Sequence, residues 1–482
     1  MDGLECSEIN LRYVKDKFLR IDAEYYQKDN LILENLLESM NGKTISAHNV
    51  KTDCSAFYPS ITDYYSDDRN NIPFLRVNEI VDGLVVISEK TVFLPEKVLK
   101  SNHKTIALAY PGDIIIAKGG NTLAKVGLVT DEFSVYATCR DVIILRTGEM
   151  TDLNKFYLWA YLHGSFGQKL MWRSASQTGQ PHLTLSSIDD IHVPEFSMSL
   201  QETIENLYNQ SVYVKQKSQS KYNEAARVLE NCLGVSKNET KTISIRMLSD
   251  SLKATGRLDA EYYQPKYDDY LSSLQRFETT SIPVEFYVLK NAGTNYADGI
   301  SDVGVIKTKQ LVNSEVNIDS VESYFTNEMC AQNKSTFIAP NDVIFASMGV
   351  GSLGKVSLFS YDGDKRFVTD STLRIYRAKE ATRVLPEVLC IFLQSAIGQE
   401  LIYRYVVGST GIINIYDDDI ARIPIPILDV ELQKNIATKV QESFSLRKKS
   451  KNLLECAMRA VEISIENGED DALMWLKERL GE

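Results

Sequence analysis

Apolar and polar positions alternate with a helical period most clearly in two long stretches. From Ser199 to Leu233 there is neither proline nor glycine, and Leu200, Ile204, Leu207, Val214, Tyr222, Ala225, Leu229 and Leu233 fall close to a spacing of three or four. This predicts one long amphipathic helix, about 52 Å at ~1.5 Å per residue. A second stretch carries Leu432, Ile436, Leu446, Leu454, Ala457, Val461 and Ile465 in step. Ser211 and Ser218 answer Ser443 and Ser450, so small polar residues sit mid-stripe in both. An apolar stripe must be covered. The nearest cover for each helix is the other, running antiparallel as a coiled coil; the plainer alternative lays each on its own domain.

Ahead of the first stripe the pattern changes. Asp113–Ala117, Val126–Val129 and Val142–Leu145 are β-branched runs separated by turns, among them Lys118-Gly-Gly-Asn121, and read as strands. Asn154–Met171 returns to helical spacing through Phe156, Leu158, Trp159 and Leu162, and reads as one short helix.

These elements occur twice. Arg20-Ile-Asp-Ala-Glu-Tyr-Tyr-Gln27 recurs as Arg257-Leu-Asp-Ala-Glu-Tyr-Tyr-Gln264, identical at seven of eight positions. Pro111-Gly-Asp113 followed by three isoleucines matches Pro340-Asn-Asp342 followed by Val-Ile-Phe. Leu123-Ala-Lys125-Val matches Leu353-Gly-Lys355-Val. Gly167-Gln-Lys-Leu170 matches Gly398-Gln-Glu-Leu401, with Arg173 answering Arg404; Thr178-Gly179 matches Thr410-Gly411. Ile188, Ile191, Val193, Pro194, Leu200 and Gln201 match Ile420, Ile423, Ile425, Pro426, Leu432 and Gln433. A repeat this long implies two domains of one fold. The expected class is α+β: a mixed domain over 1–196, a spacer helix over 197–240, a second mixed domain over 241–428, and a second helix with a tail over 429–482.

Composition narrows the classes. A chain of 482 residues exceeds one ordinary core. No apolar run reaches the ~18 residues of a membrane helix, and Met1–Tyr13 lacks the apolar stretch of a secretory signal. Seven scattered cysteines without CxxC spacing suit free thiols in a cytoplasmic protein. The net charge of −12 argues against non-specific coating of nucleic acid, while leaving room for a local reader.

In this order, and twice over, the motifs resemble the DNA specificity subunits of type I restriction–modification systems. The motifs in question are Arg-x-Asp-Ala-Glu-Tyr-Tyr, Pro-x-Asp before three apolar residues, Gly-Lys-Val, the Thr-Gly loop, the Ile-x-x-Ile-x-[Ile/Val]-Pro run and the helix opening Leu-Gln. The likeness spans roughly residues 15 to 465; Ala124 departs from it in place of the glycine before Lys125. The resemblance implies two target-recognition domains, each reading half of a bipartite, asymmetric site on double-stranded DNA. It implies helices that set the spacing and dock two methyltransferase subunits, with restriction subunits in a complete assembly. S-adenosylmethionine, ATP and magnesium would serve those partners, with no cofactor, metal or catalytic residue on this chain and no membrane contact. The alternatives are a similar reader in another methylation or phage-defence system, and, from a different class, a self-sufficient nuclease or NTPase.

Candidate DNA contacts lie in the polar loops of both copies. Arg76 and Asn78 follow an expected strand at Ile72–Leu75, as Lys307 and Lys309 follow one at Val303–Ile306. Arginine and lysine pair with guanine and asparagine with adenine; the competing reading is ordinary solvated charge. Lys118, Gly119, Gly120 and Asn121 in one copy, and Ser347, Met348, Gly349 and Gly351 in the other, form glycine-bearing loops that permit close approach to phosphate, or serve simply as tight turns. Gln177, Thr178 and Gly179, with His182 beside them, pair with Ser409, Thr410 and Gly411. The recurring Lys125 and Lys355 fit phosphate positioning. Lys215 and Lys217 match Arg447 and Lys449 mid-helix, facing either DNA or solvent. Gly349–Val356 nearly spells a nucleotide-binding loop, but Val356 replaces the hydroxyl that holds magnesium. The five histidines show no metal-ligand spacing. Asp417–Asp419 reads as a loop or helix start, and Glu469–Asp471 as a tail linker.

Overall fold

The structure, a computed structural model, describes all residues except 1–5, 17–19, 41, 89, 176–180, 235–242, 252–255, 313, 409–412 and 482. The chain divides into two compact units, Met1–Tyr213 with Lys449–Glu482, and Val214–Lys448. Both crossings fall inside the long helices, Met198–Leu233 and Val430–Asn467. No helix among the described residues is long and apolar enough to cross a membrane.

In the first unit a six-stranded sheet runs in the order Lys51–Asp53, Val142–Arg146, Ile114–Ala117, Val126–Leu128, Leu84–Val85, Ile80–Val81. Ile144 pairs with Ile115 on one side and Asp53 on the other. Every residue of Ile114–Ala117 is fully buried, which explains a continuous apolar run in place of alternation. Ile115, Ala117, Val142 and Ile144 share a core with Phe74, Phe93 and Tyr136 of a four-stranded sheet. The second unit repeats the six-stranded order with Phe286–Leu289, Leu373–Ala378, Val343–Ala346, Val356–Leu358, Glu315–Val316, Leu311–Val312. Its smaller sheet has three strands, Tyr324–Phe325, Val303–Ile306 and Arg366–Thr369. The duplication read from the sequence is therefore a duplication of topology.

The serine stripe has a geometric cause. In the first unit Ser211 and Ser450 lie 3.0 Å apart, oxygen to oxygen, and Ser450 donates to the Ser211 carbonyl at 2.9 Å. Leu200 joins Ile463 and Ala472 in an apolar cluster. In the second unit Ser218 and Ser443 each donate to the other's carbonyl at 2.8 Å, flanked by Lys221–Glu442 at 2.8 Å and Lys439–Glu224 at 2.9 Å. In each unit the partner number falls as the first rises, so the helix segments are antiparallel, and small side chains allow their close approach.

The expected single helix over Asn154–Met171 is two, Lys155–His163 and Ser165–Ser174, bent at Gly164. The helix ladder breaks because Ser165 N–H donates to Glu462 Oε1 at 2.8 Å. Gly167 is needed next to the bend: a Cβ there would lie 2.4 Å from the Tyr161 carbonyl. The second unit bends the same way, Pro386–Gln394 then Ala396–Arg404, with Ser395 capping and a Gly398 Cβ only 2.0 Å from the Phe392 carbonyl. The tail is also no linker. Glu469–Asp471 is the first turn of a helix, Glu469–Leu480, where acidic residues meet the positive helix end and Glu469 accepts from Ser197 N–H at 2.7 Å. Asp417–Asp419 opens a short helix, Asp417–Ile420, in line with the helix-start alternative.

The near-identical octapeptide is a clasp. Arg20 pairs with Asp22 at 2.7 Å, donates to the Ser174 and Ala175 carbonyls, and lies over the Tyr25 ring together with Arg173. Tyr26 Oη closes the turn on the Arg20 carbonyl at 2.7 Å. In the second unit Arg257 pairs with Asp259 at 2.7 Å, donates to the Val406 carbonyl, and shares the Tyr262 ring with Arg404, while Tyr263 Oη donates to the Arg257 carbonyl.

Candidate nucleic-acid interface

Three strands of the first unit end together and deliver three turns to one edge. Ile72–Leu75 runs into the one-turn helix Val77–Glu79, its parallel neighbour Tyr136–Thr138 into residues 139–141, and Ile114–Ala117 into residues 118–122. The turns are stitched by backbone: Cys139 N–H donates to the Leu75 carbonyl at 2.9 Å, and Lys118 N–H to the Asp141 carbonyl at 2.8 Å. Leu183 N–H donates to the Lys118 carbonyl, and Gly119 forms a bridge with His182, which is exposed. A Cβ on Gly119 would lie 2.8 Å from the His182 ring, so any side chain here would move that exposed ring.

The second unit builds the same edge. Asp370 N–H donates to the Ile306 carbonyl, Ser347 N–H to the Thr372 carbonyl, and Ile415 N–H to the Ser347 carbonyl, while Met348 bridges Asn414. The candidate residues thus fall into two equivalent groups: Arg76, Asn78, Lys118, Gly119, Gly120, Asn121 and His182, and Lys307, Lys309, Ser347 and Gly349. Gln177, Thr178, Gly179, Ser409, Thr410 and Gly411 lie outside the described residues.

Their side chains differ in commitment. Asn78 and Asn121 are exposed and Lys118 half-exposed. The Arg76 guanidinium is bonded to Glu79 and to the Lys90 carbonyl, both at 3.0 Å, while Glu79 also accepts from Arg76 N–H. Lys307 mirrors this turn, with its N–H on Gln310 Oε1 and its ammonium 3.8 Å above the Tyr296 ring. Lys309 pairs with Glu322. Lys125 is exposed and reaches the Ile80 carbonyl at 3.3 Å. Ala124, before it, holds the left-handed conformation of its counterpart Gly354, with φ of 64° and 86°. Gly349–Lys355 leads into the strand Val356–Leu358, whereas a phosphate-binding loop leads into a helix, so the near-motif lacks its architecture. Mid-helix, Arg447 pairs with Glu315 at 2.8 Å.

One residue of the edge escaped sequence reasoning. Arg140 is exposed on the central turn, between the Cys139 and Asp141 bonds, and neither it nor Lys118 makes an ion pair with a described residue. Its counterpart is Ser371, so the repeat gave no signal. Beside it, burial pushes the Cys139 thiol up to about 11, which keeps it protonated and unreactive. All seven cysteines are free.

A cavity of about 570 Å³ in the first unit is lined by Pro111, Asp113, Arg146 and Lys155, at the opposite end of the strands from the turns. Burial raises the Asp113 carboxyl despite bonds from the Tyr110 and Thr147 N–H groups.

No protein-family model matches this chain, and no curated protein matches it. Among solved structures, a type I restriction-modification system S subunit from M. genitalium is 11% identical, with 88% of this chain and 94% of that chain covered and a TM-score of 0.36. The HsdS subunit from Thermoanaerobacter tengcongensis is 10% identical over 87% and 95%, with a TM-score of 0.27. A chain from a structure concerning complex assembly and conformational transition of the type I R-M system is 11% identical over 87% and 98%, with a TM-score of 0.28.

Proposed function

We propose that this chain is the sequence-reading subunit of a type I restriction–modification complex: a cytoplasmic, non-catalytic protein that reads a bipartite, asymmetric DNA site and scaffolds two methyltransferase subunits, with restriction subunits in the full assembly. The observation that carries it is one backbone edge built twice with different side chains. Lys118 and Arg140 stand where the second copy has Ser347, buried with its hydroxyl on the Thr372 carbonyl, and an exposed Ser371, while Gly119 stands where it has Met348. Duplicated catalytic domains keep their reactive side chains; duplicated readers keep their frame and vary the groups that face the bases. The motif order supports the same reading, under which S-adenosylmethionine, ATP and magnesium would serve the partners.

The test is modular exchange. Residues 41–196 are replaced by the equivalent region of a relative, and the methylome of a strain carrying the hybrid is sequenced. One half-site should change while the other persists. Changes in both halves, or in neither with methylation intact, would overturn the reading.

A further inference from the structure

In the first unit a second cluster lies apart from the turns. His48 ends the one-turn helix Ser46–His48, which follows the strand Lys43–Thr44. Asp152 precedes the helix Lys155–His163, and Glu195 precedes the first long helix. Ligand atoms of the three side chains lie within 4.8 Å of one another. The His48 side chain is 0% exposed, and neither ring nitrogen has a hydrogen-bond partner among the described residues. Nδ1 is 3.2 Å from Asp152 Oδ2 and Nε2 3.8 Å from Glu195 Oε1, near enough for attraction but without hydrogen-bond alignment. A buried imidazole left this way is costly unless something takes its lone pair or its proton.

The two carboxylates already attract a cation. Lys43 Nζ lies 2.8 Å from Glu195 and 3.2 Å from Asp152, yet this lysine is 48% exposed and can swing into water. The second unit solves the same place differently. There the buried partner is Glu285, bonded to Arg383 Nη2 at 3.0 Å, and Arg383 also reaches Glu278 at 2.5 Å. Arg383 holds Glu285 through its backbone N–H as well as its guanidinium, and a guanidinium offers no lone pair. The first unit instead presents one neutral nitrogen donor and two carboxylates, a set suited to borderline divalent ions.

We propose that His48, Asp152 and Glu195 form a binding site for a divalent transition-metal ion of the zinc class, which displaces the Lys43 ammonium. The ion would take one imidazole nitrogen and one oxygen from each carboxylate, with water completing the shell. It would join the first strand of the domain, the loop before its helix pair and the entry to the long helix.

The test uses the purified full chain, stripped with chelator and titrated with zinc chloride by calorimetry and by thermal unfolding. One ion per chain at micromolar affinity and a raised melting temperature are expected. Glu195→Gln should weaken binding at least about tenfold, as should His48→Gln. Lys43→Ala should tighten it several-fold by removing the competitor. Glu195→Gln alters a half-exposed side chain, so it remains informative if the buried His48→Gln variant does not fold. Absence of stoichiometric zinc below about 100 μM, or binding indifferent to Glu195→Gln and Lys43→Ala, would overturn the site and leave Lys43 as the permanent counter-ion.

Discussion

Lys118 and Arg140 are two exposed or half-exposed cations on the first unit's turn edge that make no ion pair with a described residue, and they give the DNA reading a quantitative test. Each phosphate neutralised by such a side chain contributes about 0.9 to the slope of log affinity against log salt. Lys118→Ala with Arg140→Ala should therefore make the slope shallower by about 1.8. Between 50 and 200 mM salt, the unaltered chain would lose about 12-fold more affinity than the double variant, and about 3.5-fold more than either single variant. Both positions are at the surface, so folding should change by no more than about 0.5 kcal/mol. Lys309 in the second unit is the control, because its ammonium is already paired with Glu322. Lys309→Ala should move the slope by well under 0.9. The assay is fluorescence anisotropy of the full chain on a random-sequence duplex, since the phosphate contribution is independent of sequence. An unchanged slope in the double variant would refute the placement of DNA at this edge. A drop on Lys309→Ala equal to that of Lys118→Ala would refute the distinction between paired and unpaired cations.

Three further outcomes follow from packing and charge. Gly398→Ala forces a Cβ to 2.0 Å from the Phe392 carbonyl and should destabilise the second unit by about 3 kcal/mol or more, read by scanning calorimetry; a loss under 1 kcal/mol would show that the bend relaxes freely. Arg173→Met leaves the Glu34 carboxylate, 13% exposed, with the Tyr13 hydroxyl but without the guanidinium now 2.7 Å away, and should cost about 3 kcal/mol. Arg404→Met loses chiefly ring contacts with Tyr262 and Tyr267 and should cost about 1 kcal/mol, so equal losses would contradict the asymmetry. Burial alone would raise the Glu285 carboxyl, but bonds from Arg383 and Thr280 hold it below its usual 4.5. A depressed value stabilises the fold above the ordinary pKa, and that contribution is lost as pH falls from about 4.5 through the lower folded value; Glu285→Gln should flatten this acid limb of the second unit's melting temperature, and an unaltered limb would assign acid sensitivity elsewhere.

Legibility in the sequence tracked the range of the interactions. The long helices and the paired serines could be read because helical period and internal repetition are local or self-referencing signals. The bend at Gly164 was hidden because the apolar spacing continues across it, and the group that breaks the ladder, Glu462, lies in the other helical segment of the unit. The tail helix had a readable start signal, acidic residues in the first turn, which a linker reading overlooked. Arg76 was read as a base reader or a solvated charge although Glu79 stands three residues on, as Gln310 follows Lys307; at that spacing the Glu79 and Gln310 side chains accept from the backbone N–H of Arg76 and Lys307, and Glu79 also holds the Arg76 guanidinium. Arg140 and the His48 cluster had no local signal. Arg140 depends on a turn stitched to two strand ends, and His48 meets Asp152 and Glu195 only after the sheet and helices have formed.

The two copies divide their residues by what each must satisfy. Arg20, Asp22, Tyr25 and Tyr26, and their counterparts Arg257, Asp259, Tyr262 and Tyr263, make the same clasp onto the end of the bent helix pair, and a change in any one removes an ion pair, a ring contact or a hydrogen bond of the clasp. Fold stability therefore holds these positions constant in both halves. On the same turns Lys118, Asn121, Arg140 and Ser371 are exposed or half-exposed, so the fold does little to resist their divergence, and divergence is what an asymmetric target demands. On the proposed function the consequence is a lopsided reader. The first copy offers Lys118, Asn121 and Arg140, which grip phosphate and pair with purine edges. The second offers an exposed Ser371 and a Lys309 already paired with Glu322, with the Ser347 hydroxyl buried on the Thr372 carbonyl, and must gain specificity chiefly through backbone shape. On a chain of net charge −12, such a second half-site would hold weakly by itself. The first copy then supplies the anchorage and the second the discrimination, and a basic partner subunit becomes most necessary beside the second.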